Sequence, residues 1–161
     1  QDEALEYLIQ VFTEDERNTA ADVHRFLSGI GGEQYAGRVL RRLSRAFFDQ
    51  ARYPRAIEAY QMLLAREPDD ESAPTYQRQI AEAHRRLGFA AEAISLHQQV
   101  LKVHSEPALV EPALMGLGKI YLDQRDPDAA TVALAAVNTV RSSLKPTTGV
   151  KSGIASRGEK K

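Results

Sequence analysis

The stretch Leu40-Arg41-Arg42-Leu43-Ser44-Arg45-Ala46-Phe47, with Ala56-Ile57-Glu58-Ala59-Tyr60 and Pro68 behind it, decides the fold because it returns further along the chain. Its pattern reappears as Leu114-x2-Leu117-Gly118-x2-Tyr121 with Ala130-x3-Leu134, and more weakly as Ile80-Ala81-x2-His84 with Ala93-x3-His97. Ala56, Ala93 and Ala130 follow one another at intervals of 37 residues. A small side chain at that place lets the second helix of a pair approach the first. The register puts helix pairs near 34–50 with 53–67, 74–88 with 90–104, and 108–124 with 127–143, turning at Ala51-Arg52, Gly88-Phe89 and Arg125-Asp126. Pro54 and Pro127 fall in the first turns of second helices, where a missing N–H costs little. Pro74 and Pro112 fall at the starts of first helices, and Pro68 follows a helix that has ended. Upstream, Leu5, Leu8, Ile9 and Phe12 share one helical face, and Ala20, Val23, Phe26 and Leu27 share another, before Gly31-Gly32 interrupts the chain.

This signature resembles the tetratricopeptide repeat, a helix–turn–helix unit of about 34 residues with the pattern W-x2-L-G-x2-Y, then A-x3-F, then P. The resemblance implies an all-α, right-handed α-solenoid of antiparallel helix pairs, about eight helices in total, whose concave surface binds a protein or peptide. The expected organisation is a helical repeat domain over residues 1–144, with a degenerate pair at 2–30 and repeats at about 37–70, 74–107 and 111–144. Each junction between repeats is three residues longer than the usual unit, which lengthens helices or loops there.

Composition fits one domain. The chain has 161 residues, no cysteine and a net charge of −1, so disulfides, thiolate metal sites and a cysteine nucleophile are excluded. Its apolar runs are far shorter than a membrane span. Charge is uneven, with sixteen basic and twenty-one acidic side chains in residues 1–144, net −5, and fourteen of the basic ones are arginine. The last seventeen residues, KPTTGVKSGIASRGEKK, carry net +4 and read as a flexible basic tail or linker. The chain opens on Gln1 and enters a helical pattern at once, as a processed form or an excised fragment would.

Carried onto this chain, the family's groove positions are Arg38, Arg41, Arg42, Arg45, Phe48 and Asp49 in the first clear repeat; Thr75, Arg78, Gln79, Glu82, Arg85 and Arg86 in the second; and Pro112, Met115, Gly116, Lys119, Leu122 and Asp123 in the third. Independently of any family, Arg38, Arg41, Arg42 and Arg45 follow i, i+3, i+4, i+7 spacing and so lie on one helical stripe. Arginine forks match carboxylates bidentately, so an acidic partner segment is expected on Arg41, Arg42, Arg45, Arg78, Gln79 and Lys119. Arg38 and Arg85 lie on the same face, and Met115 and Leu122 offer apolar contact. The competing reading is a solvated face neutralised by Asp49, Glu82 and Asp123. The chaperone-binding subfamily uses a clamp of Lys and Asn. Here Arg45 and Gln79 replace two of its Asn, and Pro112 and Gly116 replace its final basic pair, which argues against chaperone tails.

No catalytic constellation and no cofactor are expected. His84 and His97 take aromatic core positions and read as packing residues, and His97 with His104 lacks the further ligands a metal needs. The acidic run Glu67, Asp69, Asp70 and Glu71 lacks the alternation and central glycine of a calcium loop. With Phe48 the one aromatic placed in the groove and a net-negative body, nucleic acid is disfavoured as a partner. Residues 127–143 carry more Ala and Val than one neighbouring helix needs, so further repeats or self-association could cover them, with Val132 and Val137 as the positions to probe. Finally, residues 3–101 are similar to repeat proteins of the bacterial cell envelope, of the gliding-machinery or Tol–Pal-associated kind. That similarity implies a periplasmic scaffold, a cytoplasmic adaptor being the alternative.

Overall fold

The structure is a computed structural model that describes residues 2–144. Segment 145–161, read above as a basic tail, lies outside the described residues. Those described form eight α-helices and no strand: α1 Asp2–Glu14, α2 Ala20–Gly29, α3 Ala36–Asp49, α4 Tyr53–Arg66, α5 Ala73–Arg86, α6 Ala90–Val103, α7 Pro107–Asp123 and α8 Pro127–Ser143, with a 3-10 turn at Glu33–Tyr35 before α3. None is long and apolar enough to cross a membrane.

From α3 onward each helix packs chiefly on the next, α3 on α4 through α7 on α8, and α5 also reaches α7. Neighbour-to-neighbour packing of this kind builds a stack of helical hairpins. The first two helices depart from it. Both α1 and α2 pack on α3, and α2 also meets α4, while Phe12 and Phe26 join α1 to α2 with ring centroids 5.6 Å apart. These helices are short, 13 and 10 residues, so they flank α3 and do not form a full hairpin of their own.

The 37-residue period is physical at three places. Ser44, Ala81 and Gly118, one period apart on the first helices, are all buried, and a Cβ on Gly118 would stand 2.8 Å from Leu134 Cδ2 on α8. Ala56, Ala93 and Ala130 are at most 1 % exposed. At the hairpin turns Ala51, Gly88 and Arg125 have φ of 57°, 82° and 60°. The N–H that follows each donates five residues back, from Arg52 to Phe47 at 2.8 Å, Phe89 to His84 at 2.9 Å and Asp126 to Tyr121 at 2.9 Å. This is the bond that closes a helix through a left-handed residue. Glycine occupies only the middle turn, so Ala51 and Arg125 hold a conformation that disfavours a Cβ.

The continuous core joins α1 to α5 around Phe47, Leu40, Leu43 and Leu63, each at most 2 % exposed. Each such side chain contributes on the order of 1.5–3 kcal/mol of burial. Tyr60 and Tyr76 stack across α4 and α5 at 5.8 Å. In α6 to α8 the buried hydrophobic side chains are fewer: Ala93, Val100, Ala113, Leu117, Ile120, Ala130, Ala133 and Val137. Two expectations change here. Val137 is 2 % exposed and belongs to this core, whereas Val132, at 72 %, faces out. Pro112 is inside α7, because Pro107 already supplies the first-turn proline five residues earlier. The last hairpin absorbs the long period by growing both helices to 17 residues, against 14 for α3 to α6.

Candidate functional site

Three consecutive first helices and one second helix meet around a groove of about 360 Å³, lined by Phe48 of α3, Arg78, Gln79 and Glu82 of α5, His97 of α6, and Pro112, Met115, Gly116 and Lys119 of α7. Eight of these nine positions stand in the register carried over above. The ninth, His97, was expected to pack, and it does so while also forming part of the groove wall. It is 3 % exposed, and a Cβ on Gly116 would stand 2.2 Å from its Nε2. The missing side chain of Gly116 is therefore what lets the imidazole lie under α7.

Charges sort the predicted residues into two groups. Arg41 turns away to the α4–α5 connection, donating to Glu67 and, at 3.0 Å, to Asp70. Arg42 pairs with Glu6 of α1. Arg85 donates to both carboxylate oxygens of Glu82, at 2.7 and 2.8 Å, and also to Asp123 on α7. These three, expected to hold a partner, tie helices of the same chain together. The reason is chemical: a shared stripe fixes where the Cβ atoms lie, but a long guanidinium stem reaches whichever carboxylate is near. Arg45 is highly exposed and 3.8 Å from Asp49, so the neutralising roles of Asp49, Glu82 and Asp123 are present. Arg38 lies apart, beside an apolar cleft of about 220 Å³ formed with Ala4, Leu5, Leu8, Leu27, Tyr35 and Val39. Leu122 is 55 % exposed and does not line the groove.

The second group comprises Arg78, Gln79, Met115 and Lys119, which the groove brings together. Arg78 is the one half-buried arginine that makes no ion pair or hydrogen bond among the described residues, and Lys119 makes none either. Glu82 shares the groove but is already saturated: hydrogen bonds from Arg85 first, then Arg86, hold its carboxyl down at about 2 against the opposing effect of burial. Burial pushes His97 down to about 4; Glu82 opposes this, while Arg78 and Lys119 add to it. The imidazole is thus neutral at pH 7, and its Nδ1 is buried without a partner. No group of three or more His, Cys, Asp or Glu that could hold a metal exists among the described residues.

The result is an open trough with a positive rim, apolar contacts from Phe48 and Met115, and an amide at Gln79. Sequence reasoning missed the isolation of Arg78, which depends on which carboxylates other arginines consume. The class these features define is a stack of helical hairpins with a cationic groove. Compared with protein-family models, curated proteins and solved structures, the chain finds no match.

Proposed function

We propose that this chain is a non-enzymatic protein-interaction scaffold of the tetratricopeptide type, receiving an acidic segment of a partner protein in the groove between α5 and α7. The observation that carries this reading is Arg78. A half-buried guanidinium without an internal carboxylate is costly, and a ligand carboxylate, approached by Lys119 from α7, would offset that cost with charge-assisted hydrogen bonds. Phe48 and Met115 give the segment apolar contact, and Gln79 can pair with its backbone. The resemblance of residues 3–101 to envelope repeat proteins supports an envelope assembly as the setting.

The test is capture from a lysate of the source cells, followed by titration of the captured partner's acidic segment as a synthetic peptide. Arg78→Glu/Lys119→Glu is expected to weaken that peptide at least tenfold with unchanged helical content, while Arg41→Ala leaves its affinity alone. Equal binding by native protein and the double variant would refute the reading.

A second reading, a structural module that associates through α8, draws on Val132, which stands 72 % exposed among neighbouring alanines. It predicts that Val132→Ser changes the oligomeric state and leaves peptide binding untouched.

A further inference from the structure

His97 enters the wall of the cationic groove from α6, and neither of its ring nitrogens makes a hydrogen bond among the described residues. The side chain is 3 % exposed, yet the two nitrogens stand in different surroundings. Nδ1 is sealed from solvent and has no partner. Nε2 is not sealed, and it is the atom nearest the place where a Cβ on Gly116 would stand, 2.2 Å away. Gly116 lines the same groove, so the ring edge that carries Nε2 is the edge the groove meets. Packing accounts for the buried face of this ring as it would for a phenylalanine; it does not account for an imidazole.

A neutral imidazole carries one N–H and one lone pair, and this ring is neutral at pH 7 because burial holds it down at about 4. An N–H on the sealed Nδ1 would be an orphan donor, which folded proteins rarely keep. On Nε2 the same proton faces the groove. The charged groups that face the ring are Glu82 and Arg78 from α5 and Lys119 from α7. Glu82, the one carboxylate lining the groove, is taken up by Arg85 and Arg86. Arg78, Lys119 and Nε2 therefore line one groove as donors, with no groove carboxylate left for them.

We infer that His97 is a third binding residue of this groove, its Nε2–H donating to a carboxylate oxygen of the acidic segment while Arg78 and Lys119 supply the charge. This deepens the reading of the groove given above and rests on it. A ring locked by packing is a fixed donor, whereas the lysine stem is flexible, so His97 sets where the carboxylate sits. The bound carboxylate adds negative charge that offsets Arg78 and Lys119 beside the ring. Binding and protonation of His97 then favour each other, so affinity rises as pH falls from 7 to 5, a range in which aspartate stays ionised.

The experiment titrates an acetylated, amidated hexapeptide of alternating Asp and Leu into the protein at pH 7 and pH 5 by calorimetry, and follows the imidazole nitrogens of His97 by nitrogen-15 NMR. The expected results are a tautomer protonated on Nε2, an Nε2–H signal that moves when the peptide binds, and binding about fivefold tighter at pH 5. His97→Phe, which keeps a planar ring, is expected to weaken the peptide about tenfold at pH 7 and to abolish the gain at pH 5. His97→Gln, whose amide can donate from near the place of Nε2, is expected to restore binding at pH 7 without that gain. The NMR measurement uses the native protein, so it decides the matter even where a variant misfolds. If the peptide binds the native protein and is lost in Arg78→Glu/Lys119→Glu, yet binds His97→Phe equally well and leaves the Nε2 signal unmoved, the groove reading stands and this inference is overturned. Absence of binding to the native protein at both pH values overturns the two together.

Discussion

Gly116 of α7 and His97 of α6 occupy one another's space: a Cβ built on the glycine falls 2.2 Å from Nε2 and 2.4 Å from Cε1 of the imidazole. Alanine at 116 would normally favour a helix interior by about 1 kcal/mol. Here it must displace a ring that is 3 % exposed, and overpacking of that kind costs about 1–3 kcal/mol. Gly116→Ala is therefore expected to lower stability in denaturant unfolding, and His97→Ala/Gly116→Ala to recover part of the loss. Additive effects in that double variant would show that the two side chains do not compete.

This pair also shows where reading the sequence stops. Gly116 was legible as a departure from a basic clamp residue, but its reason lies 19 positions away on another helix. The period of 37 residues was legible because burial at Ser44, Ala81 and Gly118 and at the alanines one helix on depends on local spacing alone. The hairpin turns were legible for the same reason. Partner choice among fourteen arginines was not: Arg41 and Arg78 hold equivalent positions one period apart, yet one finds Glu67 and Asp70 while the other finds no carboxylate.

Ala51 and Arg125 stand where Gly88 stands in the middle hairpin, each with φ near +60°. Relief of the Cβ penalty there is worth about 1 kcal/mol. Ala51→Gly and Arg125→Gly are expected to stabilise the fold, whereas Gly88→Ala is expected to destabilise it by a similar amount. Thermal melts of the three variants check the sign, and a loss of stability in both glycine variants would contradict it.

Arg85 is the strut between α5 and α7, with its side chain 17 % exposed and that of Glu82 24 % exposed. Removing the guanidinium leaves a half-buried carboxylate with only Arg86 to answer it, so Arg85→Ala is expected to cost about 1–3 kcal/mol. Arg45→Ala, whose exposed pair with Asp49 spans 3.8 Å, is expected to cost under about 0.5 kcal/mol. Urea midpoints separate the two; equal midpoints would remove Arg85 from its structural role.

Acid is expected to lower the stability of the fold over two overlapping pH ranges. His97 titrates at about 4 in the folded state against 6.5 ordinarily, so between those values the unfolded chain binds more protons and stability falls as pH falls. Glu82, held at about 2 against an ordinary 4.5, contributes stability that is present above about 4.5 and lost as pH drops through about 2. A His97→Phe variant, which keeps a planar ring but cannot charge, is expected to remove most of the decline between pH 6.5 and 4 and to leave the lower range intact. On the order of 2–3 kcal/mol separates the two proteins' pH dependence over that interval. Urea unfolding at pH 7, 5.5 and 4 measures it, and parallel curves for both proteins would show that the buried imidazole is not the group that charges.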